Sequence, residues 1–297
     1  MNEIKIGYFA DGPWAHQAFD LLIRDKTIHM LFICVRYDTQ DNTLKNYAAE
    51  HNIDYINNSN INSDVFFDQV KKYKCDLFVS MSFNQIFKSR IINLPHLKTI
   101  NCHGGKLPYY RGRNILNWVL INDETEFGIT VHYIDNHIDT GDIILQNTYE
   151  ISDDDNYATL LQTSYRECAS TLYESIKMIQ NETVKVIRQE SIHPVGMYCT
   201  QRKEGDEIID WSKSSRDIFN LIRAICRPGP GARSVVNGNQ VIINSSELIP
   251  SAPKYIGING AVVELSDDYF VVKSGDTSIK ITDYDYQGKI LLGDRLG

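Results

Sequence analysis

Short apolar runs alternate with helix-patterned segments through the first third of the chain. These runs predict strands at residues 4–10, 30–35, 53–56, 76–81 and 98–102, and the run at 30–35 is too continuously apolar for a half-exposed strand. Between them, apolar residues recur at helical spacing and predict helices at residues 14–22, 43–51 and 63–73. Strands that alternate with helices build a parallel sheet covered on both faces. The predicted fold class is therefore α/β, a Rossmann-like and mostly parallel sheet.

The pattern changes in the next stretch. Residues 112–121 have the pattern of a helix, and residues 127–134 alternate apolar with polar side chains, which predicts a strand with one less apolar face. Residues 141–151 predict another strand. Residues 156–179 carry apolar side chains along one helical stripe and predict a long amphipathic helix.

The C-terminal part is predicted to be mostly β. After a polar connecting stretch at residues 194–210, Ser214 and Asp217 have the spacing of a helix start, and Pro228 ends that helix. Asn237-Gly238 predicts a hairpin turn, with further strands at residues 260–265, 269–273 and 278–282. We therefore predict a small, barrel-like β subdomain. The predicted domains are a catalytic domain at 1–200, a connecting loop and helix at 201–232, and the β subdomain at 233–297.

Charge and cysteine usage narrow the class of protein. The 297 residues carry a net charge of -8, which argues against a nucleic-acid partner because phosphate binding needs clustered Lys and Arg. No apolar run reaches the roughly 18 residues of a membrane span, and the N-terminus shows no signal peptide. The six cysteines are scattered without a Cys-x-x-Cys pair, which indicates reduced thiols and a cytoplasmic location.

Three polar side chains form the strongest candidate site. Asn101 and His103 lie where the strand at 98–102 ends, and ligands of open parallel sheets bind at the carboxyl ends of strands. Asp139 lies in an Asp-x-Gly turn before the next strand. A histidine base, a carboxylate that orients it and an amide donor for an oxyanion suit acyl transfer. From the residues alone, a structural histidine and an ordinary turn aspartate stay as alternatives.

Other chemistries fit the sequence less well. His103-Gly-Gly is similar to the oxyanion loop of lipases, but the chain has no Gly-x-Ser-x-Gly elbow, so a serine hydrolase is excluded. A Cys102–His103 nucleophile pair is disfavoured because adjacent strand residues point to opposite faces. A metal site would have to use side chains that match no usual ligand spacing; they are His132, Asp135, His137 and Asp139. No metal is therefore predicted.

Several motifs together resemble one family. The run INCHGGKLPYYRGRN at 100–114, followed by GITVH at 128–132 and IDTGDI at 138–143, resembles the 10-formyltetrahydrofolate-dependent formyltransferases. The resemblance continues through RKEGDEIIDW at 202–211 and the segment 222–232, and it is weak over the β tail. It implies the formyltransferase fold and an enzyme in which Asn101, His103 and Asp139 are the catalytic residues.

The resemblance also implies a co-substrate and its contacts. The co-substrate is 10-formyltetrahydrofolate. Backbone groups at residues 85–87, after the fourth predicted strand, would bond its pterin. Arg113 and the loop at 135–139 would close the pocket. The implied cofactor-binding residues are Gln85, Ile86, Phe87, Arg113 and Asp135. The chain departs from the family at Gly105-Lys106, where the family often has Ser-Leu, and this leaves the hydrogen bonding around His103 open.

Within the family, the chain is most similar to the nucleotide-sugar N-formyltransferases, through Arg111-Gly-Arg113 and the residues that follow. This implies a nucleotide-linked aminosugar as substrate, first of all dTDP-4-amino-4,6-dideoxyglucose, made for a surface polysaccharide such as O-antigen. Arg202 and Asp206 are candidate substrate-binding residues, with plain surface charges as the alternative reading.

Three other activities stay open from the sequence. One is methionyl-tRNA formyltransferase, which the acidic charge disfavours because that enzyme must bind a polyanion. The others are a formyltetrahydrofolate hydrolase and a non-catalytic folate or nucleotide-sugar binding protein. A glycinamide ribonucleotide formyltransferase is disfavoured because Asp11-Gly-Pro-Trp-Ala-His16 replaces the glycine-rich phosphate loop of that class. Members of the resembled family often form homodimers, and the strands after Arg233 are a candidate interface.

Overall fold

The computed structural model describes residues 3–297 of the chain. Its first part contains β1 (Ile4–Ala10), α1 (Gly12–Arg24), β2 (Ile28–Val35), α2 (Asn42–Glu50), β3 (Asp54–Asn57), α3 (Asp64–Lys71), β4 (Leu77–Met81), α4 (Ser89–Ile92), β5 (Thr99–His103), β6 (Arg111–Gly112), α5 (Ile115–Ile121), β7 (Glu126–Tyr133) and β8 (Ile143–Glu150). The rest contains α6 (Tyr157–Gln180), α7 (Gln189–Ile192), β9 (Tyr198–Cys199), α8 (Ser215–Ile225), β10 (Ala232–Val236), β11 (Asn239–Leu248), β12 (Val262–Leu265), β13 (Phe270–Lys273) and β14 (Ser278–Asp285).

A seven-stranded sheet in the order β3-β2-β1-β4-β5-β7-β8 forms the first half of the fold. Strands β1 to β5 pair in parallel where they are neighbours, and β7 pairs antiparallel with β5. The predicted α/β class with a mostly parallel sheet is confirmed. The carboxyl ends of β1, β2, β4 and β5 lie at one edge of this sheet, which is where ligands of such sheets bind.

The strand predicted at 127–134 is present as β7, and its less apolar face is buried as well as its apolar one. Every side chain from Phe127 to His132 is buried. The polar positions are buried because they make specific bonds: the Thr130 hydroxyl donates to the Gly105 carbonyl at 2.7 Å. The alternation of apolar and polar side chains in this strand therefore reflects polar groups that are bonded inside the protein and not a face exposed to solvent.

The predicted helix at 112–121 begins later than expected. Asn114 has a φ of 56°, a left-handed conformation that an α-helix does not contain, and α5 starts at Ile115. Before it, Arg111 and Gly112 form β6, which pairs in parallel with β9 at Tyr198–Cys199. Both two-residue strands lie in stretches predicted as helix or loop, because a strand of this length has no periodicity to detect.

An aromatic cluster packs beside the carboxyl end of β4. The Phe9 ring lies edge-on to Phe32 and Phe78, with centroids 5.5 and 5.2 Å away. It also contacts Phe83 at 5.5 Å and Phe87 at 4.9 Å, both in the segment that follows β4. Aromatic pairs in this geometry add roughly 0.5–1.5 kcal/mol each beyond their buried area. The cluster anchors the segment after β4 to the sheet.

The C-terminal part is a five-stranded antiparallel sheet in the order β10-β11-β14-β13-β12. The predicted hairpin turn is confirmed, with φ values of 50° at Asn237 and 78° at Gly238. Near the C-terminus, Leu296 bridges to Val236 of β10 and Arg295 bridges to Ala261, next to β12. The last residues thus bridge to both edges of the sheet, and the barrel-like shape stays a prediction. The predicted start of α8 is confirmed by a capping box between Ser214 and Asp217.

The chain folds into two compact units that interleave along the sequence. The first unit contains residues 1–112, 127–149 and 162–199, and the second contains 113–126, 150–161 and 200–297. The division of the chain at 200 and 232 stays a prediction. Among residues 3–297, no helix has the length and apolarity needed to cross a membrane.

Candidate active site

Strand β5 presents two polar side chains on one face. Asn101 and His103 are two residues apart, so both side chains point to the same side of the strand. Cys102 points to the other side, where its thiol lies 3.6 Å from the carbonyl oxygen of Cys168 in α6. This arrangement separates Cys102 from His103, as the sequence predicted, and leaves His103 to act with other partners.

The His103 imidazole is buried and contacts a different group on each of its nitrogens. Nε2 lies 2.7 Å from the Tyr110 carbonyl oxygen, and Nδ1 lies 3.7 Å from Asp139 Oδ2. Because a carbonyl oxygen can only accept, Nε2 carries the hydrogen of the neutral ring. The lone pair is then on Nδ1, which faces the carboxylate. A proton taken up at Nδ1 would therefore arrive opposite a negative charge.

Asp139 is held in an unusual conformation between the two histidines. Its φ is 55°, and its Oδ2 accepts a hydrogen bond from the Gly112 N–H at 2.9 Å. Burial by itself raises the pKa of this carboxyl, but His103, His132 and the Gly112 N–H together hold the pKa well below its usual range. Asp139 is therefore ionised at neutral pH.

His132 joins the site, and the sequence considered it only as a metal ligand. It lies opposite Asn101 in the β5–β7 ladder and is 2% exposed. Its Nδ1 lies 2.8 Å from the Tyr133 carbonyl oxygen, so Nδ1 carries the hydrogen of the neutral ring. Nε2 then accepts from Asn101 Nδ2 at 3.3 Å, and it lies 3.6 Å from Asp139 Oδ1. In the sequence, His132 ends the family motif GITVH at 128–132, but the motif alone assigned it no role in the site.

The loop that carries Asp139 is shaped by its own side chains. Asp135 Oδ1 accepts from the His137 N–H at 3.0 Å and from the Thr140 hydroxyl at 2.6 Å. Gly141 is required because a Cβ there would lie 1.8 Å from the Tyr133 carbonyl oxygen. In the described part of the chain, no group of three His, Cys, Asp or Glu side chains is arranged to hold a metal ion.

Gly105 accounts for the departure from the family pattern. A Cβ at this position would lie 2.5 Å from both His103 Nε2 and the Tyr110 carbonyl oxygen. Such a contact is too close for any real Cβ, so a side chain here would disturb the His103–Tyr110 hydrogen bond. Glycine at 105 therefore permits this orientation of the imidazole.

The segment predicted to contact folate follows β4 in the first unit. Ile86 is 66% exposed, while Phe87 is buried in the aromatic cluster. The Ile86 carbonyl accepts from Asn62 Nδ2 at 2.8 Å. Gln85 is turned toward the preceding loop, where its Nε2 donates to the Asn58 carbonyl at 2.7 Å. The Gln85 side chain thus holds the segment in place, and Ile86 is the apolar residue that the segment exposes.

The remaining predicted residues lie in the second unit. Arg113 is exposed, and its Nη1 lies 3.4 Å from Gln201 Oε1. Arg202 and Asp206 are close together, because Arg202 Nη2 donates to the Asp206 carbonyl at 2.9 Å. Burial lowers the pKa of Arg202 against the opposing effect of Asp206 and Glu207. Arg202 Nε is buried without a hydrogen-bond partner among the described residues.

The turn after β1 does not offer a phosphate site. The Gly12 N–H at the start of α1 donates to Asp41 Oδ2 at 2.7 Å, and His16 Nε2 lies 2.8 Å from the same oxygen. A carboxylate of the chain itself thus occupies the position where an anion would bind a helix N-terminus. The prediction that this loop does not bind phosphate as in glycinamide ribonucleotide formyltransferases agrees with this geometry.

A histidine, a partly buried carboxylate and an oriented amide, the groups that acyl transfer requires, lie together beside the carboxyl end of a central strand of a Rossmann-like sheet. The sequence profile described as Formyl transferase matches residues 34–176, and that described as Formyl transferase, C-terminal domain matches residues 202–293. The chain belongs to the formyl transferase family, and it is a formyltransferase.

Two curated relatives and one solved structure illustrate the family. The chain is 30% identical over 239 residues to methionyl-tRNA formyltransferase of Fusobacterium nucleatum, covering 80% of this chain and 76% of that protein. It is 33% identical over 212 residues to the bifunctional polymyxin resistance protein ArnA of Wigglesworthia glossinidia brevipalpis, covering 69% of this chain but only 31% of that protein. WlaRD, a sugar 3N-formyl transferase crystallised in the presence of dTDP and 5-N-formyl-THF, has the same fold, with a TM-score of 0.71, 24% identity, and 98% and 100% of the two chains covered.

Proposed function

We propose that this formyltransferase transfers the formyl group of 10-formyltetrahydrofolate to the amine of a nucleotide-linked aminosugar. The first candidate is dTDP-4-amino-4,6-dideoxyglucose, used for a surface polysaccharide such as O-antigen, in the cytoplasm. The observation that carries the proposal is the contact set that links Asn101, His132, Asp139 and His103 in the first unit. The net charge of -8 favours a small acceptor over a polyanionic one.

We assign a separate role in the reaction to Asn101, His103 and Asp139. Asn101 uses one N–H toward His132 and keeps the other for the developing oxyanion, an interaction worth roughly 2.7–4 kcal/mol. His103 accepts the proton of the attacking amine at Nδ1, and Asp139 stabilises the resulting imidazolium. The C–N bond from the sugar nitrogen to the formyl carbon forms first, and the bond from that carbon to the folate nitrogen then breaks. The folate nitrogen leaves with the proton that His103 had taken from the amine.

The segment after β4 fits a folate ring. Exposed Ile86 offers an apolar face beside irregular backbone at the carboxyl end of β4, and a flat pterin needs both. We assign pterin binding to Gln85, Ile86 and Phe87, and contacts from the loop at Asp135. Arg113 in the second unit is a separate candidate contact. When bound, the folate supplies the activated formyl group.

Two further assignments belong to the same proposal. Arg202 is the candidate cation for the nucleotide diphosphate, since its half-buried guanidinium has an unpaired Nε, and Asp206 is its neighbour on the same turn. A homodimer through the C-terminal sheet stays a prediction. The position of the sugar amine is also open, because WlaRD is a 3N-formyl transferase.

Methionyl-tRNA formyltransferase is the second candidate, because a curated relative with that name shares 30% identity over most of this chain. Incubating the purified protein with 10-formyltetrahydrofolate and a panel of dTDP- and UDP-aminosugars, with methionyl-tRNA in a parallel arm, separates the two. Mass spectrometry should find a formylated sugar nucleotide and unmodified methionyl-tRNA. Formylated tRNA with no sugar product would replace the first proposal with the second. Formate release without any acceptor would indicate a hydrolase.

A further inference from the structure

The backbone at Asp139 needs support from elsewhere. A non-glycine residue at a φ of 55° is in a sparsely populated conformation, which persists only where the surroundings hold it. The Gly112 N–H fixes the carboxylate, but it does not fix the backbone of the loop. Asp135 bonds the His137 N–H and the Thr140 hydroxyl, so the carbonyl group of Asp139 itself still needs a donor.

Gln189 supplies that group. Its side chain is buried, and its Nε2 donates to the carbonyl oxygens of Asp139 and Gly141 at 2.9 and 2.8 Å. Both N–H donors of the amide are thus used on the same loop. The bonds hold the carbonyl group of the left-handed residue itself and that of Gly141, so the two bonded carbonyls flank Thr140.

The other end of the same amide holds a second segment. Gln189 Oε1 accepts from Arg111 Nε at 3.0 Å and Nη2 at 2.7 Å. The Arg111 guanidinium is buried, and its Nη1 donates to the Val195 carbonyl at 3.1 Å. The residues on either side of Arg111 are the ones that contact the site: the Tyr110 carbonyl faces His103, and the Gly112 N–H donates to Asp139.

We propose that Gln189 is a positioning residue that sets the distance between the Asp139 carboxylate and His103. One amide ties the loop at 139–141 to the run at 110–112, and these two segments hold the catalytic carboxylate and imidazole. The inference rests on the proposed role of Asp139. It assigns to Gln189 no contact with either substrate.

The test uses Gln189→Glu, which keeps the length of the side chain and its acceptor for Arg111 but cannot donate to the two carbonyls. We expect kcat to fall about 10²-fold, as a misplacement near 1 Å can cause, with KM little changed. Gln180→Ala is the matched control, because Gln180 is also buried but donates to the Thr27 carbonyl, before β2. Its kcat should equal that of the native protein. Loss of folded protein without a fall in kcat per folded molecule would overturn the proposal.

A double-mutant cycle shows whether Gln189 acts through Asp139. In an Asp139→Ala background, Gln189→Glu should cause no further loss of kcat, whereas equal losses in both backgrounds would overturn the proposal. Carbon-13 NMR of the Asp139 carboxyl in the free protein gives a readout other than activity. In Gln189→Met the pKa of Asp139 should rise, and an unchanged pKa would overturn the proposal. Native kcat in Asp139→Ala alone would instead reject the proposed function of Asp139.

Discussion

The Tyr110 carbonyl oxygen lies 2.7 Å from His103 Nε2 and leaves Nδ1 as the free nitrogen of the imidazole. In the proposed mechanism, the base is therefore the nitrogen that faces Asp139, 3.7 Å away. A carboxylate in this position does more than orient the ring, since it stabilises the proton on the atom that receives it. This pairing depends on the absence of a side chain at residue 105.

Gly105→Ala should lower turnover because its Cβ would lie 2.5 Å from His103 Nε2. We expect kcat to fall about 10²-fold as the imidazole is displaced. Gly104→Ala is the matched control, since a Cβ there would meet the Trp14 ring at an ordinary 3.4 Å. Steady-state kinetics of both proteins check the prediction. Equal kinetics in the two variants would show that the close contact has no consequence.

Asn101→Ala and His103→Asn should each lose most of the activity while the protein stays folded. Removal of one oxyanion donor costs about 10²–10³-fold in kcat, and loss of a general base costs about 10²–10⁴-fold. Single-turnover formyl transfer measures the effect, and circular dichroism verifies the fold. Native rates in either variant would remove that residue from its proposed role.

His132→Leu should reduce kcat through Asn101. With Nδ1 donating to the Tyr133 carbonyl, Nε2 is the acceptor that fixes the Asn101 amide. Without it the amide can rotate, and we expect a loss of about 10-fold or more, within the range for one misplaced donor. His96→Leu, at an exposed histidine, is the control. A loss confined to KM would argue that His132 acts on binding and not on the oxyanion donor.

The candidate catalytic residues could be predicted from the sequence more completely than the residues that hold them in position. The end of β5 could be found because the strand predicted at 98–102 ends at Asn101 and His103, within a motif that resembles the family. The Tyr110–Gly112 run could not, because β6 is two residues long and pairs with a distant segment that has no periodicity of its own. His132 was assigned to a less apolar face because alternation does not distinguish a polar interior from solvent.

Gln189 was missed for a related reason. It lies in a polar stretch after α6, and nothing in its neighbours shows that its amide is buried. Its two partners, Arg111 and the loop at Asp139, are distant in sequence. Such a contact depends on tertiary packing, which local pattern does not encode. The residue that reacts can thus be recognised from a motif, whereas the residue that holds it in place cannot.

Asp139 should also make stability depend on pH in the acid range. Its pKa in the folded protein lies well below the value of about 3.9 expected in the unfolded chain. The stabilisation that the Asp139 carboxylate gives the folded protein is therefore fully present above the pKa of this group in the unfolded chain. It is lost as the pH falls toward the pKa of this group in the folded protein. Asp139→Asn should be less stable at neutral pH by about 2 kcal/mol, the scale of a hydrogen bond to a charged group.

Urea unfolding of the native protein and of Asp139→Asn, from neutral pH down to about pH 3, measures the difference in their free energies of unfolding. This difference should become smaller as the pH falls below the unfolded pKa of about 3.9. Asp154→Asn, at an exposed carboxyl, is the control and should follow the native protein throughout. A stability gap that stays constant to the acid end would show that Asp139 stabilises the fold through packing. Its charge, and with it the electrostatic pairing to His103, would then have no part in holding the site together.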